Sequence, residues 1–584
     1  MDRQRIFRVS IVGALTLAAI CLTLTLLQQS LVPILVWSAP QLEAPFYDLG
    51  LLGAYRTQSY VSFDLNSPQA SVVQWEDSCD YGFVFLDPSG PAVAHRGPLI
   101  IDAKGNLIWT SDQFETTTNQ KLQQYKGEEY LTFWSGQKAK TMGTGAYYML
   151  DSNYTVVHKV DAVGEGLRGD LHEFKITKDD TALLTVYNLT NADLTGMGWF
   201  RTENGWITDS LFQEVDIATG ELLFEWKATE HFRAEGSYMT NPFGGYTAGI
   251  PFDFFHINSV EKDAQGNYLI SSRHFHTVMC IDGKTGDVLW ELGGRSEDFL
   301  DLSDGKASDF SWQHDARWLS EEEVLLSVFD NGVAWPHVDA PYSEGLVIKM
   351  DIENRTAALV QSYRSPSRPR SSSQGSVQPI KGADGEEHIF IGWGSSAAFS
   401  EFAVDGHLLC ETHFTASASW WWERVKSYRA FKTPSWSATP AAWDPSAKID
   451  GGNLYVSWNG ATDVAFWELQ GRNTDGDEDA PTDFQVVDVM EKDAFEESFA
   501  LPTGADACSH YRVAALDHDH GLMRYSNIAI PPPPGAMSYV LAAVSAIAVI
   551  GAMAAFWLYR KRVAGWHVDW KQYTVDRSKY QKLW

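Results

Sequence analysis

Residues 280–292 read CIDGKTGDVLWEL: apolar residues, an Asp, a short turn containing Gly, then apolar residues again. Asp, Asn and Gly accept the backbone angles of a tight turn, and the flanking residues suit a pleated, half-buried surface. The phrase therefore reads as two strands joined by a hairpin. It recurs as LIIDAKGNLIW at Asp102, YMLDSNYTVV at Asp151, EVDIATGELLFEW at Asp216, KMDIENRTAALV at Asp351 and EFAVDGHLLCE at Asp405. Most intervals also hold an earlier pair of apolar stretches: HEFKI with ALLTVYN, HINSV with YLISSRH, HDARWL with VLLSVFDNG, and SVQPI with IFIGWGS. Four strands per unit, repeated at roughly 49 to 69 residues, is the layout of propeller blades. The expected fold is all-β, a six-bladed β-propeller over residues 45–431.

Composition agrees and narrows the function. The chain has 584 residues, 45 Lys plus Arg against 75 Asp plus Glu, and a net charge of −30, which argues against a nucleic-acid partner. Aromatic residues at 13% and 46 Gly favour short strands and tight turns over long amphipathic helices. Past Phe431 the register changes. NLYVSWNGATDVAFWELQGR, followed after a gap by HYRVAALDHDHGLMRYSNIAI, resembles a fibronectin type III β-sandwich over residues 432–530, with Trp458 in its core, Tyr511 and Val513 on a late strand and Gly521 in the final turn.

Both ends are apolar. Residues 9–30, preceded by Arg3, Arg5 and Arg8, read as a transmembrane signal-anchor or a signal peptide; residues 535–559, closed by Arg560, Lys561 and Arg562, read as a second transmembrane helix. Basic flanks at 1–8 and 560–584 place both tails in the cytoplasm and the segment between them in a lumenal or extracellular space. There, Asn153, Asn188 and Asn354 open Asn-X-Thr sequences that are candidate glycosylation sites. Cys79, Cys280, Cys410 and Cys508 are the disulfide candidates, allowing three pairings, of which Cys79 with Cys508 would join the ends of the domain.

Aligning the repeats places His172, His256 and His314 at one point, the entrance to the first strand of successive blades, with Asn119 or Gln120 and Gly375 or Ser376 at the equivalent points before and after. First strands line the central channel of a propeller, so these side chains converge. The second strands end in Arg273 with His274, Asp330 with Asn331, and Trp393 with Gly394. Arg273 or Arg317 adds positive charge beside the imidazoles, and Trp312, Trp318 and Trp393 offer flat apolar walls. Such a site suits an aromatic anion, because imidazole attacks electrophilic sulfur or phosphorus when neutral and guanidinium pairs with anionic oxygens. His274 and His276 alternate but lack acidic or Cys ligands in register, so no metal is expected, and no cofactor.

At these residues the sequence resembles the arylsulfotransferase family, in particular its membrane-associated fungal branch. The matching text is DFFHINSVEKDAQGNYLISSRH, GDVLWELGG, FSWQHDARWL, VLLSVFDNG and IFIGWGSSAAFSEF, within roughly Tyr55 to Phe431. The resemblance implies a six-bladed propeller that moves a sulfuryl group from an aryl sulfate to a phenol without a nucleotide donor, through a histidine. It implies His256 and His314, which match family positions that hold the sulfuryl oxygens, as the catalytic pair; the blade alignment itself puts Arg273, His274, Arg317, His172, Asn331 and Trp393 around the substrate. The sequence departs from the bacterial pattern in two places. Val333, Ala334, Trp335 and Pro336 follow the DNG turn where an Arg is expected, and SSSQGSVQPI lacks the later-blade His that takes the sulfuryl group. The site is therefore either rearranged, with His256 or His314 as nucleophile and Arg273, Arg317 or Arg364 holding charge, or an inactive propeller ectodomain binding a ligand, glycan or protein.

Overall fold

The computed structural model describes residues 3–139, 142–198, 201–241, 243–322, 324–382, 384–473 and 484–532. The expected helix at 535–559 and the tail at 560–584 lie outside the described residues. Strands dominate. All six Asp-turn phrases form antiparallel hairpins, around Asp102, Asp151, Asp216, Asp282, Asp351 and Asp405. In each, the Asp carboxylate accepts backbone N–H groups of its own turn, such as Lys284 and Thr285 on Asp282 at 2.8 Å, so a single side chain closes the loop.

The hairpins sit in six successive four-stranded antiparallel meanders. Their first strands are Thr117–Tyr125, Gly169–Ile176, Ile257–Lys262, His314–Ser320, Ser376–Lys381 and Ala430–Thr433. These six pack against one another in cyclic order, the last against the first. Ala430–Thr433 belongs to the meander that begins the chain's strand run, pairing with Phe83–Leu86 in the order Ala430–Thr433, Phe83–Leu86, Leu99–Asp102, Leu107–Thr110. The meanders that open with Thr117–Tyr125 and Gly169–Ile176 are joined into one sheet through Gly145 and Gly169.

A buried ion cluster on the common axis ties all six first strands together. Glu173 receives Lys121 at 3.2 Å, Arg429 at 3.2 Å and Arg317, while Asp315 receives Arg317 Nε at 2.9 Å and lies 3.3 Å from Arg429 Nε. Arg429 also donates to Asn119 Oδ1 and Asn258 O, Arg317 donates to Val260 O, and Val377 N–H donates to Asp315. Although burial pushes both carboxyls up, the surrounding guanidinium groups win and hold Glu173 and Asp315 below the usual carboxylate range.

Ser71–Trp75 adds a fifth strand outside Leu408–His413, covering the last sheet's open edge, and its register puts Trp75 opposite Cys410. The chain then turns back so that Cys79 bonds Cys410, while Cys280 and Cys508 are free thiols. This corrects the expected pairing of Cys79 with Cys508, which lies in a separate two-sheet unit. That unit packs Ser446–Asp450, Asn453–Ser457 and Glu496–Ala500 over Phe466–Arg472, Gln485–Glu491, His510–Leu516 and Leu522–Tyr525, around Trp458, Trp467, Tyr511 and Val513. It docks on a hairpin of the ring through Asn459, whose amide exchanges hydrogen bonds with Thr110, and Gly460, where a Cβ would lie 2.6–2.8 Å from Tyr154 and Trp109.

Helix α1 spans Arg3–Ser38, and its stretch Thr16–Ser38 is long and apolar enough to cross a membrane. Helix α2, Glu43–Asp48, follows it and contacts the Ser71–Trp75 strand.

Two stability outcomes follow. Replacing Cys79 and Cys410 by Ser lowers stability by about 2–5 kcal/mol, read as a drop in denaturation midpoint, and peptide mapping recovers only the Cys79–Cys410 link. Arg429→Met, which leaves Glu173 and Asp315 short of a cation, costs about 3–5 kcal/mol by the same measurement.

Candidate functional site

One end of the axis opens into a cavity of about 370 Å³ directly beyond the ion cluster. His172 precedes Glu173, His314 precedes Asp315 and Tyr428 precedes Arg429, so neighbouring residues on one strand serve the cavity and the cluster. The backbone is bent to allow this. Register shifts interrupt the pairing of Gly169–Ile176, Ile257–Lys262 and His314–Ser320 with their neighbours, and His256, Trp312, Asp315 and Gln374 adopt φ between +55° and +71°. Bulges and left-handed residues of this kind re-aim side chains away from the sheet face and toward a shared point.

His172 and His256 form a matched pair with ring centres 4.7 Å apart. His256 Nδ1–H donates to Asp253 Oδ2 at 2.6 Å, and His172 Nδ1 is bonded to Asp170. The Asp253 carboxylate fixes the His256 tautomer, both imidazoles line the cavity, and no hydrogen-bond partner for either Nε2 is found among the described residues. Burial, then the neighbouring His172 and Arg273, push His256 well below the ordinary imidazole value, so it is neutral and nucleophilic at neutral pH.

His314 lines the same cavity but differs in chemistry. Asn331 Nδ2 donates to Ser371 O and Gln374 O, which fixes its Oδ1 as the acceptor for His314 Nδ1–H at 2.6 Å. His314 Nε2 therefore accepts the backbone N–H of Gln374 at 3.1 Å. Both ring nitrogens are spent on the protein, which corrects the expectation of His314 as a nucleophile. Asn331 is likewise a positioning residue behind the wall, fully buried, and not a substrate contact.

Arg273 supplies the cation. Its guanidinium lies 5.4 Å over Trp312, donates to Ser372 O at 2.8 Å and to His274 Nε2 at 3.0 Å, and its buried Nε has no hydrogen-bond partner among the described residues. His274 gives its Nδ1–H to Asp253 O and accepts from Arg273 on Nε2, so both its nitrogens are engaged and it does not line the cavity. Three other expected residues lie elsewhere. Arg317 is consumed by Glu173 and Asp315 in the axial cluster, Trp393 is buried in the core with Nε1 on Ser400 Oγ, and Arg364 pairs with Glu344. The glycosylation candidates Asn188 and Asn354 are exposed and Asn153 half-buried.

The sequence reading missed Lys138, Gln374, Tyr428, Lys426 and Glu423 on the cavity wall, and Asp170 and Asp253 behind it. Tyr428 occupies at the sixth first strand the place that His172 and His314 occupy at theirs; its hydroxyl is buried without a hydrogen-bond partner, as is Gln374 Oε1. Burial, helped by Lys426, brings Lys138 down to about 8. Among the described residues, three cations line the cavity against one carboxylate, Glu423, which is itself paired with Lys426 at 2.6 Å. In a chain of net charge −30 this cavity is a local basin for an anion. The group Asp253, His256 and His274 also holds ligand atoms within 4.8 Å of one another, with His256 Nδ1 bonded to the Asp253 carboxylate and His274 Nδ1 to the Asp253 backbone carbonyl.

A pH signature follows. His256, whose ordinary value is 6.5, has a depressed folded value, so below pH 6.5 the unfolded chain binds the extra proton first. The stability His256 contributes is present above that pH and lost as pH falls through it toward the folded value. Asp330 and Glu291, raised to about 7, act in the opposite sense and cancel when variant and wild type are compared. The stability difference between wild type and His256→Gln therefore moves against the wild type as pH drops from 7.5 to 5.5 in denaturant titrations.

Among solved structures, a Bacteroides caccae protein of unknown function is 11% identical, with a TM-score of 0.34, over 61% of this chain and 99% of that one. A Lactobacillus plantarum protein is 11% identical with a TM-score of 0.31, over 72% and 99%. A Staphylococcus aureus virginiamycin B lyase is 12% identical with a TM-score of 0.24, over 58% and 77%. No curated protein matches the chain. The arylsulfotransferase (ASST) family model matches residues 121–415, half of the chain and the stretch that carries His172, His256, Arg273 and His314, and the chain belongs to that family.

Proposed function

We propose that the six meanders are the blades of a β-propeller, that the following unit is a fibronectin type III-like sandwich, and that the chain is held in a membrane of the secretory pathway by its apolar helix. In this reading the axial cavity transfers a sulfuryl group from an aryl sulfate to a second phenol through His256. The observation that carries the reading is the Asp253–His256 pair: a neutral imidazole, its Nδ1–H fixed, its Nε2 unengaged, in one cavity with Arg273.

The chemistry balances on this chain's own groups. His256 Nε2 attacks the sulfur of Ar–O–SO₃⁻, the N–S bond forms, the S–O(aryl) bond breaks, and the aryloxide takes a proton from Lys138, whose value of about 8 suits that exchange. The acceptor phenol then gives its proton to Lys138 while its oxygen attacks sulfur and the N–S bond breaks. Arg273, with an unpartnered Nε, holds the sulfuryl oxygens, and Trp335 and Met239 border the aryl ring. His172 stands beside His256 as the second imidazole on the sulfuryl group.

Purified full-length protein given a phenyl sulfate and a second phenol forms the new aryl ester with ping-pong kinetics, and His256→Ala abolishes transfer. Arg273→Ala lowers kcat/KM on the order of 10²-fold, the usual effect of removing one donor to a developing anion. Undiminished transfer by His256→Ala would sink the reading. A second reading, binding without turnover, draws on one observation: Gln374, in the segment where the bacterial pattern has its nucleophilic His, spends its backbone N–H on His314. That reading expects calorimetric binding of an aryl sulfate and no product with any acceptor.

A further inference from the structure

The rim of the cavity carries large apolar side chains that nothing in the fold covers. Trp335 lines the cavity and meets Trp421 ring to edge at 4.2 Å; Trp335, Trp421 and Trp422 are 47%, 53% and 71% exposed. Phe243 and Tyr246 are exposed on a neighbouring loop, which reaches the same rim through Thr240 and His337. Basic residues accompany these rings: Arg424, two positions after Trp422, is exposed, and Lys426 and Lys138 line the cavity. Exposed Trp beside Lys and Arg is the composition of a protein surface seated at a bilayer's headgroup level.

The position of this rim relative to the apolar helix makes the case. Trp420–Trp422 end the short turn Ser417–Trp422, and that turn is fastened to α2, which follows α1 after residues 39–42. Ser417 Oγ donates to Asp48 O, Ala416 N–H donates to Ala54 O, and Trp420 packs on His413 at 4.8 Å. His413 in turn bridges Asp48 at 2.8 Å and Glu411 at 2.9 Å. Burial opposes its charge, but the two carboxylates prevail and raise it to about 9, so the bridge is ionic at neutral pH. Gln28 of α1 donates to Leu51 O, and Val32 is buried, so the end of the apolar helix folds back on the segment that follows α2. The membrane-length segment and the aromatic rim are thus linked through α2 and the residues just after it.

We propose that the mouth of the cavity rests on the bilayer, with Trp335, Trp421 and Trp422 in the headgroup layer, so that ring-bearing amphiphiles enter the site from the membrane. This rests on the membrane-anchored reading of the preceding subsection and names its substrate class: phenols or aryl sulfates that carry an alkyl chain and partition into lipid.

The test reconstitutes the full chain in phosphatidylcholine vesicles, with and without brominated acyl chains that quench tryptophan at the interface. Trp421→Phe with Trp422→Phe removes part of the bromine-sensitive emission; an unchanged bromine-sensitive emission overturns the proposal. This measurement reads the rim even if no sulfuryl transfer occurs, so a failed enzyme reading and a failed rim remain distinguishable. Where transfer occurs, Trp421→Ser with Trp422→Ser raises KM about tenfold for a long-chain alkylphenol held in the vesicles and leaves KM for a short, water-soluble phenol unchanged. The Phe pair, which keeps the apolar rings, retains the vesicle-borne acceptor. An equal rise for both phenols overturns the proposal.

Discussion

A handful of fully buried charges on one axis governs the shape of this protein. Glu173 and Asp315 accept Arg317, Arg429 and Lys121, and the remaining hydrogen bonds of these groups reach the first strand of every meander. Buried charges are costly unless each is answered, so the six sheets are held to one mutual arrangement in which all are. A purely apolar axis would pack as well with the sheets slipped or counted differently; the ion cluster does not tolerate it.

The same residues set the chemistry above them. Because Glu173, Asp315 and Arg429 point into the cluster, their predecessors His172, His314 and Tyr428 face the cavity. Position alone does not make these side chains equivalent. His172 and His256 each hold a carboxylate on Nδ1 and an unengaged Nε2, whereas His314 is bonded on both sides, by Asn331 and Gln374. Arg273 is similarly held in place, by His274 and Ser372, with its Nε left over. The cavity thus separates groups that build its wall from groups with bonding capacity to offer a ligand.

What was legible in the sequence was local or periodic. The Asp-turn hairpins were readable because the Asp, the Gly and the flanking apolar residues lie within a dozen positions. The convergence of His172, His256 and Arg273 was readable because the repeat carries each to a comparable place. Illegible features depend on distant partners. Ala430–Thr433 joins Phe83–Leu86 from the far end of the domain, so Tyr428 had no repeat to be aligned with. Cys410 meets Cys79 only because Ser71–Trp75 pairs across the seam. Arg317 looked like a free cation since its partner Glu173 is two meanders away, and Trp393 looked like a wall because an apolar strand end does not reveal which face it turns to the core.

The closing strand also constrains how the molecule is made. Arg429 and Ala430–Thr433 are the last pieces of the ring in chain order, yet the sheet they finish begins at Phe83. Until a ribosome has delivered them, the opening meander lacks its innermost strand and the two central acids lack Arg429, the cation they share with Arg317. Closure of the ring is therefore a contact between segments some 340 residues apart in the sequence, which no shorter stretch of the chain can make.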